Sequence, residues 1–305
     1  MIPIISNPFY SYDFNHNHRF PMEKFALLKS YLDEKGITSS KNTFRPGKSK
    51  FDVLKLGHCE SYLNRFIHGK QTVQEIRRMG LPWSEPLVKR SLISPNGTLL
   101  AASLALENGV ACHLAGGTHH AHYDFASGFC ILNDLAITAL ALVRKAKVNK
   151  VLIFDCDVHQ GDGTASILKD ESSIFTCSIH CEKNFPAKKA KSDLDVGLPV
   201  GTSDKDYLFS VEQNIKSLTG SINPDLLIYD AGVDIYKDDP LGLLSVSEQG
   251  IRERDALVLN HCRDHNFPVC TVIGGGYDDD RIALAKRHAI VVEEAHRIFY
   301  DRASM

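Results

Sequence analysis

The sequence predicts an α/β fold in which a single domain, residues 1–305, has a mainly parallel central sheet with helices on both faces. From about residue 100 onwards, short apolar runs alternate with longer amphipathic stretches, which is typical of strands that alternate with helices. The apolar runs are continuous, and this pattern favours strands buried on both faces of a parallel sheet. No linker rich in Pro, Gly or Ser interrupts the alternation, so we expect one domain.

Five apolar runs are predicted strands, and five longer amphipathic stretches are predicted helices. The strands are predicted at 110–116, 151–157, 174–180, 224–231 and 269–275. The helices are predicted near 84–107, 133–147, 204–219, 247–264 and 279–299. The first 80 residues are richer in helix-like and loop-like segments, and we expect them to wrap one side of the sheet.

Composition and charge exclude several classes of protein. A hydrophobic content of 43% with 24% charged residues is typical of a soluble globular protein with a sizeable core. The net charge of −2 gives no reason to expect nucleic-acid binding, which requires a basic surface. The first six residues lack a basic segment and a long apolar run, and nowhere do 18 apolar residues follow one another. We therefore expect neither a secretory signal nor a membrane span.

The eight cysteines indicate a reducing compartment. They form no Cys-x-x-Cys pair, and Cys112, Cys156, Cys177 and Cys270 lie inside apolar runs, where a thiol behaves as a small hydrophobic side chain. This pattern argues against a disulfide framework and against a cysteine-based zinc site, so the expected location is the cytoplasm.

Two aspartates and a histidine follow the apolar run at 151–154. Asp155, Asp157 and His159 are spaced two residues apart, so in extended backbone their side chains point to the same side of the strand. Two ionised aspartates approach each other in a low dielectric only when a cation lies between them or one takes a proton. Carboxylate and imidazole ligands suit a divalent metal such as zinc. The alternative is a strand that ends in a solvated loop, where acidic residues are ordinary.

Unusual residues also follow three other predicted strands: His119 and His120, then Asp234, then Gly274-Gly275-Gly276-Tyr277. Each of these alone has an ordinary explanation, since a histidine pair is common in loops, an aspartate in turns and a glycine run in tight turns. In open α/β sheets, however, ligands bind beyond the carboxyl ends of the strands. Four such strand ends predict a single pocket more strongly than any one motif does.

The residue types suggest chemical roles in that pocket. One histidine and two aspartates leave an open coordination position for water and a substrate carbonyl. Imidazole titrates near neutral pH and suits proton transfer, and Asp155 and Asp162 are the candidate partners that orient the pair His119 and His120. The Tyr277 hydroxyl is a candidate donor to a developing oxyanion.

Together these residues resemble the zinc-dependent histone deacetylase family of the arginase/deacetylase fold, and most closely its class IV branch and bacterial relatives. The resemblance covers most of the chain, from about His18 to the last helix. Five motifs in the family's order carry it: GLPWS at 80–84, AGGTHHA at 115–121, GFCILND at 128–134, DCDVHQGDG at 155–163 and GGGY at 274–277.

The resemblance implies an enzyme that hydrolyses the amide of Nε-acyl-lysine, with Zn²⁺ as the metal and Fe²⁺ as the alternative ion in the cell. The implied metal ligands are Asp157, His159 and Asp234. His120, oriented by Asp162, is implied as the general base that later acts as an acid. The remaining implied catalytic residues are His119, paired with Asp155 to stabilise charge, and Tyr277, which polarises the carbonyl.

Two further sites are implied by the resemblance. The walls of an acyl-lysine tunnel are implied at Gly128, Phe129, Phe185 and Leu241. A structural potassium ion beneath the divalent metal is implied, held by the Ser178 side chain and by backbone of Asp155, Asp157, His159 and Ile179.

The chain departs from related enzymes at three positions. Enzymes of the arginase type bind two manganese ions and need an aspartate where this chain has Gly161, so a two-metal ureohydrolase is disfavoured. Thr118 and Gln160 differ from the residues usual in class I deacetylases. These departures leave the preferred acyl chain, acetyl or long fatty acyl, open.

Two alternative functions remain at this point. One is an amidohydrolase that acts on acetylpolyamines or other small acylated amines. The other is an inactive module that binds acylated lysine, which is disfavoured because ligands, histidine pair and tyrosine are all present. If the loop with Lys188, Lys189 and Lys191 lies near the pocket mouth, it would repel a basic histone tail, which favours a non-histone acyl-lysine protein or a small acylated amine.

Overall fold

The computed structural model describes residues 1–300 and confirms the predicted fold class. One open sheet has the strand order β2-β1-β3-β8-β7-β4-β5-β6, and each pair of neighbouring strands is parallel. The strands are β1 Ile4–Ile5, β2 Thr43–Phe44, β3 Val110–His113, β4 Val151–Asp155, β5 Ile174–Cys181, β6 Leu194–Leu198, β7 Leu226–Asp230 and β8 Val269–Val272.

The helices within residues 1–300 connect these strands, and none of them is long and apolar enough to cross a membrane. They are α1 Lys24–Glu34, α2 Phe51–Leu54, α3 Glu60–Ile67, α4 Val73–Met79, α5 Glu85–Asn108, α6 Asp134–Arg144, α7 Asp162–Leu168, α8 Asp204–Ile222, α9 Glu248–Asp264 and α10 Arg281–Phe299.

The central strands are buried on both faces, as their continuous apolar runs predict. In β4, Leu152 and Phe154 belong to the core beneath α1, α8, α9 and α10, while Val151 and Ile153 belong to the core beneath α5 and α6. Successive strand residues point to opposite faces of a sheet, so each face needs its own cover. Helices therefore lie on both sides of the sheet.

All five predicted strands and all five predicted helices are present, with bounds that differ by a few residues. Three strands have no counterpart in the prediction. The strands β1 and β2 have two residues each, too few to show a period, and β6 is an edge strand whose polar residues are exposed. The first 80 residues contain helices α1–α4, as expected, but they also add β1 and β2 to one edge of the sheet.

The strand order places the candidate site residues. Strands β3, β8, β7 and β4 are consecutive neighbours in the sheet, and being parallel they all end at the same edge. The polar segments that follow these four strands therefore meet there. Ligand sites of open parallel sheets form at this edge.

Candidate metal centre and active site

The three predicted metal ligands converge at the carboxyl ends of β4 and β7. His159 Nδ1 lies 3.0 Å from Asp157 Oδ1 and 3.1 Å from Asp234 Oδ2. One ligand atom from each residue lies within 4.8 Å of the others, and all three side chains are buried. Two carboxylates and an imidazole in this arrangement fit a divalent cation such as zinc.

The backbone of the glycine-rich segment closes over these ligands. The Gly275 amide donates to Asp157 Oδ2 at 2.7 Å. A Cβ atom at Gly275 would lie 2.6 Å from Asp157 Oδ2 and would also meet Asp234 Oδ2. Only glycine allows the backbone to approach the two carboxylates this closely, so the segment is part of the site rather than an ordinary turn.

A proton competes with a cation for the ligand group. Burial lowers the pKa of His159, but hydrogen bonding to Asp157 and Asp234 outweighs burial and raises the pKa to about 10. A metal ion binds neutral imidazole, so metal binding displaces this proton. The affinity for a divalent ion therefore rises with pH.

The two adjacent histidines each pair with the aspartate expected from the sequence. His119 Nδ1 lies 2.7 Å from Asp155 Oδ2, and His120 Nδ1 lies 2.6 Å from Asp162 Oδ1. In each ring Nδ1 is taken up by the aspartate, which leaves Nε2 for the site. His119 Nε2 lies 3.7 Å from Asp157 Oδ1, and the His120 ring lines the cavity above the metal ligands.

The surroundings push the pKa values of the two histidines apart. Burial disfavours a charged His119, but Asp155 and Asp157 outweigh it and raise the pKa of His119 well above its usual value. Burial lowers the pKa of His120, and the neighbouring charge on His119 lowers it further, to about 4. The surroundings thus favour the charged form of His119 and the neutral form of His120. This pairing would suit a charge stabiliser next to a general base.

Tyr277 lies at the wall of the same site, and its position depends on Asp239. Burial and the nearby Asp234 carboxylate raise the pKa of the Tyr277 hydroxyl well above 10, so it stays protonated and can donate. Asp239 Oδ2 accepts the Tyr277 amide at 2.7 Å, and Asp239 Oδ1 accepts the Leu241 amide at 2.9 Å. Asp239 therefore joins the segment that carries Tyr277 to the segment that carries Leu241.

A cavity of about 450 Å³ leads from the surface to His120 and His159. The four predicted tunnel residues all line it: Gly128, Phe129, Phe185 and Leu241. Phe129 has φ +66°, a region that favours glycine, and is held there by a bond from its amide to the Met79 carbonyl at 2.9 Å. An aromatic residue kept in this conformation at a cavity wall indicates a functional constraint.

A smaller pocket of about 40 Å³ is lined by Asp157, Asp234 and Tyr277. Lys24, at the start of α1, lines it, and its Nζ lies 3.4 Å from the carbonyl oxygens of Gly274 and Gly276. Burial lowers the pKa of Lys24 to about 8. An amine enclosed this deeply beside Asp234 contributes a positive charge to the base of the site.

The residues of the expected potassium site also lie close to β4. Ser178 is the register partner of Asp155 in the β4–β5 pairing, and its hydroxyl lies 3.0 Å from His180 Nδ1. Ile179 follows in β5 and is buried. On the other side of Asp155 lies Asp230, a fully buried carboxyl with no hydrogen-bond partner within residues 1–300.

His119, Asp155 and Asp230 form a second group of potential ligands within 4.8 Å of one another. Burial and the neighbouring Asp155 raise the pKa of Asp230 well above its usual value. Burial and the neighbouring Asp157 also raise the pKa of Asp234, but the pKa of Asp157 itself is held well below its usual value because His119 and His159 outweigh burial. The group Asp157, His159 and Asp234 therefore keeps an ionised carboxylate to attract a cation.

Several residues of the site were not identified in the sequence. Lys24 and Asp239 show no pattern that separates them from ordinary helix and turn residues. His122 lies two residues after His120, and its Nε2 lies 2.9 Å from Asp162 Oδ2, so Asp162 contacts two imidazoles. His122 is the next residue after the motif at 115–121, and this closeness to the histidine pair is the signal that could have identified it as a site residue.

Comparison with known proteins decides the family. A family model described as the histone deacetylase domain matches residues 18–292, most of the chain. The chain belongs to the histone deacetylase family. Membership in this family, with its deacetylase members, supports a hydrolase that acts on amide bonds.

Relatives of this histone deacetylase-family chain match over nearly its whole length. An uncharacterised protein of Picosynechococcus sp. is 43% identical over 97% of this chain and 99% of that protein. Histone deacetylase 2 of Arabidopsis thaliana is 31% identical over 85% of this chain and 70% of its own length. The acetoin utilization protein AcuC of Staphylococcus xylosus is 26% identical over 90% of this chain and 76% of its own length.

A solved structure supports the fold. The HD domain of HDA15 superimposes with a TM-score of 0.79, covers 96% of this chain and 88% of that chain, and is 21% identical in sequence. At this level of identity the likeness bears on the fold alone, and it agrees with the arginase/deacetylase fold expected from the sequence.

Proposed function

We propose that this chain is a zinc-dependent hydrolase that cleaves the amide bond of Nε-acyl-lysine. The observation that carries the proposal is the placement of Asp157, His159 and Asp234 at the floor of an apolar-walled cavity, with His120 and Tyr277 beside them. Zn²⁺ bound by these three residues, or Fe²⁺ as the alternative ion, would act as a Lewis acid that acidifies a water and polarises the acyl carbonyl.

His120 is proposed as the general base. Its Nδ1 donates to Asp162, which leaves Nε2 free to take a proton from the attacking water. As the C–N bond breaks, His120 gives that proton to the lysine nitrogen, which therefore leaves as a neutral amine. Asp162 holds the ring in the orientation that both transfers need.

Tyr277 and His119 are proposed to stabilise charge. The Tyr277 hydroxyl donates to the carbonyl oxygen as negative charge develops on it. His119, kept charged by Asp155, places a second positive group beside the reacting atoms. The Asp239 bond to the Tyr277 amide fixes the tyrosine segment before substrate arrives.

Substrate enters through the larger cavity. Phe129 and Phe185 would pack against the methylenes of the lysine side chain, apolar against apolar, with Gly128 and Leu241 completing the walls. The inner pocket of about 40 Å³ holds only a few water-sized groups. It accommodates a methyl group but not a long chain, so we propose acetyl rather than long fatty acyl as the acyl group.

We also propose that a monovalent cation, K⁺, lies beside the divalent site. The Ser178 hydroxyl and backbone carbonyls of Asp155, Asp157, His159 and Ile179 would hold it. The support is the register of β4 and β5, which places Ser178 next to Asp155 at the end of the strand. A cation there would offset the charge of the buried aspartates.

The charges around the cavity disfavour the acetylpolyamine alternative. Arg19 and Arg78 line the larger cavity, and none of the residues described there is an acid. A polyamine carries several positive charges, which two guanidinium groups would repel.

The proposal is tested by loading the purified chain with Zn²⁺ and measuring turnover of Nε-acetyl-lysine peptides, Nε-myristoyl-lysine peptides and acetylspermidine. We expect turnover of acetyl-lysine peptides that disappears on chelation and returns with Zn²⁺. A zinc-loaded protein that cleaves acetylspermidine but none of the peptides would contradict the proposal.

A further inference from the structure

Two arginines in the wall of the larger cavity have no role in the chemistry described above. Arg19 precedes Phe20, and Arg78 lies in the last turn of α4. Both side chains are exposed, and within residues 1–300 neither forms an ion pair with a carboxylate. The guanidinium of Arg78 lies 3.8 Å from the centre of the Phe125 ring, a cation–π contact.

Both arginines lie on the Phe129 side of the cavity. The rings of His18 and Phe20, on either side of Arg19, lie 5.9 and 5.7 Å from the Phe129 ring. The Phe129 amide donates to the carbonyl of Met79, the residue after Arg78. The positive charges therefore belong to the wall that would contact the substrate lysine.

A third positive charge lies beside the opposite wall, where Asp162, Glu182 and Asp195 partly offset it. Lys189 Nζ lies 2.6 Å from the Asn184 carbonyl and 2.7 Å from the Pro186 carbonyl, on either side of Phe185. Gln160 fixes this loop through two bonds with the Ala190 backbone, at 2.8 and 3.0 Å. Of the three lysines in this loop, Lys189 therefore lies beside the cavity, whereas Lys191 lines a separate pocket.

No carboxylate among the residues described in the cavity wall balances these charges. Asp162 lies next to the cavity, but its carboxylate is engaged by His120 and His122. Asp157 and Asp234 are buried below and are the ligands that a divalent ion would neutralise. The cavity therefore opens through a positively charged mouth in a chain whose net charge is −2. Such a local field concentrates anions and repels cations at the entrance.

We propose that the substrate carries carboxylates next to the acyl-lysine, in the residues that lie over Arg19 and Arg78. This inference rests on the proposed acyl-lysine hydrolase function and names the class of its substrate: an acylated lysine in an acidic segment. Arginine suits this role because its planar guanidinium binds a carboxylate through two parallel hydrogen bonds. Aspartate and glutamate side chains and the terminal carboxylate of a C-terminal acyl-lysine share this chemistry.

The test compares acetyl-lysine peptides of equal length with Asp/Glu, neutral or Lys/Arg flanks, using the zinc-loaded chain. The measured quantities are kcat/KM and the Kd of the same peptides with a fluorescent label. A further pair of peptides ends in acetyl-lysine as the free acid or as the amide, which separates terminal from side-chain carboxylates. The test variant carries both Arg19→Gln and Arg78→Gln. The matched control is Arg45→Gln, because Arg45 is also exposed and its guanidinium also lies over an aromatic ring, 5.5 Å from the centre of Phe9.

We expect kcat/KM for acidic flanks to exceed that for basic flanks by about tenfold at low salt, since exposed charge pairs each contribute modestly. The ratio should fall towards one in the double variant and in high salt, and should be unchanged in Arg45→Gln. Equal or higher kcat/KM for basic flanks, or a ratio that survives the double variant, would overturn the proposal.

The binding measurement separates this inference from the proposed function. Preferential binding of acidic peptides without turnover would support the acidic substrate class and contradict the hydrolase. Turnover without a charge preference would support the hydrolase and overturn the inference. Neither binding nor turnover of any peptide would overturn both.

Discussion

Replacing Asp162 with asparagine tests the proposed role of the His120–Asp162 pair with little change of shape. The Asp162 carboxylate accepts from His120 Nδ1 at 2.6 Å and from His122 Nε2 at 2.9 Å. Burial raises the pKa of Asp162, but these two hydrogen bonds outweigh burial and hold the pKa well below its usual value. In Asp162→Asn the amide oxygen can still face His120 and the amide nitrogen can face His122, so the geometry persists while the negative charge is lost.

The expected loss follows from the charge on that hydrogen bond. A bond to a charged group contributes about 1.5–3 kcal/mol and a neutral one about 1 kcal/mol, so the variant loses roughly 0.5–2 kcal/mol of stabilisation of the imidazolium that forms as His120 takes a proton. This corresponds to a fall in kcat of about tenfold. If the amide is reversed, its nitrogen faces Nδ1, the wrong tautomer of His120 is stabilised, and the loss approaches about 10⁴-fold.

The assay is steady-state kinetics on an acetyl-lysine peptide across pH, with the zinc content measured in each sample. Burial and the charge on His119 already hold the pKa of His120 at about 4, and removing the anion lowers it further, so the acid limb of the kcat/KM profile should move to lower pH. The control is Asp225→Asn, the same change in a carboxylate that accepts from backbone amides at the opposite end of β4. Unchanged kcat in a fully zinc-loaded Asp162→Asn protein would refute the role given to this pair.

Three other predictions concern single groups of the site. His120→Ala should lower kcat by about 10²–10⁴-fold with metal content kept, measured by turnover beside zinc analysis. Tyr277→Phe should cost about 10²–10³-fold in kcat, again with zinc retained; turnover equal to wild type would remove the hydroxyl from the mechanism. Gly275→Ala should weaken zinc binding by about 10–100-fold because its Cβ would lie 2.6 Å from Asp157 Oδ2, whereas Gly220→Ala, with nothing within 4 Å, should bind zinc normally.

The sheet could be predicted where burial leaves a clear pattern. The runs that became β4 and β7 are apolar throughout because both faces are covered, and the alternation of runs with amphipathic stretches fixed the fold class. Short strands such as β1 and β2 escape prediction because two residues have no period and gain their hydrogen bonds only from neighbours distant in sequence. Only the pairing of β1 and β2 with strands distant in sequence defines them as strands.

The convergence of site residues could be predicted for a related reason. In a parallel sheet the ends of neighbouring strands meet, so chemically unusual residues after β3, β4, β7 and β8 had to lie close together once the fold class was known. The resemblance to deacetylases then supplied residues that no strand end marks, such as Phe185 and Leu241, and the structure places both at the cavity.

Other parts of the site depend on contacts that the sequence does not show. Lys24 looks like any lysine at a helix start, and only its burial against the Gly274 and Gly276 carbonyls brings it to the site. Asp239 looks like a turn acid, and its link to the Tyr277 amide spans 38 residues. Arg19 and Arg78 come from separate segments and form a charged mouth only in the folded chain.

The proposed hydrolysis depends most on a single divalent ion held by Asp157, His159 and Asp234. Metal analysis of the purified chain tests this ligand assignment most directly. We expect one zinc or ferrous ion per chain, an affinity that weakens as the pH falls because His159 takes up a proton, and loss of that ion in Asp157→Asn. An Asp157→Asn protein that is folded and keeps one equivalent of metal at wild-type affinity would contradict the ligand assignment.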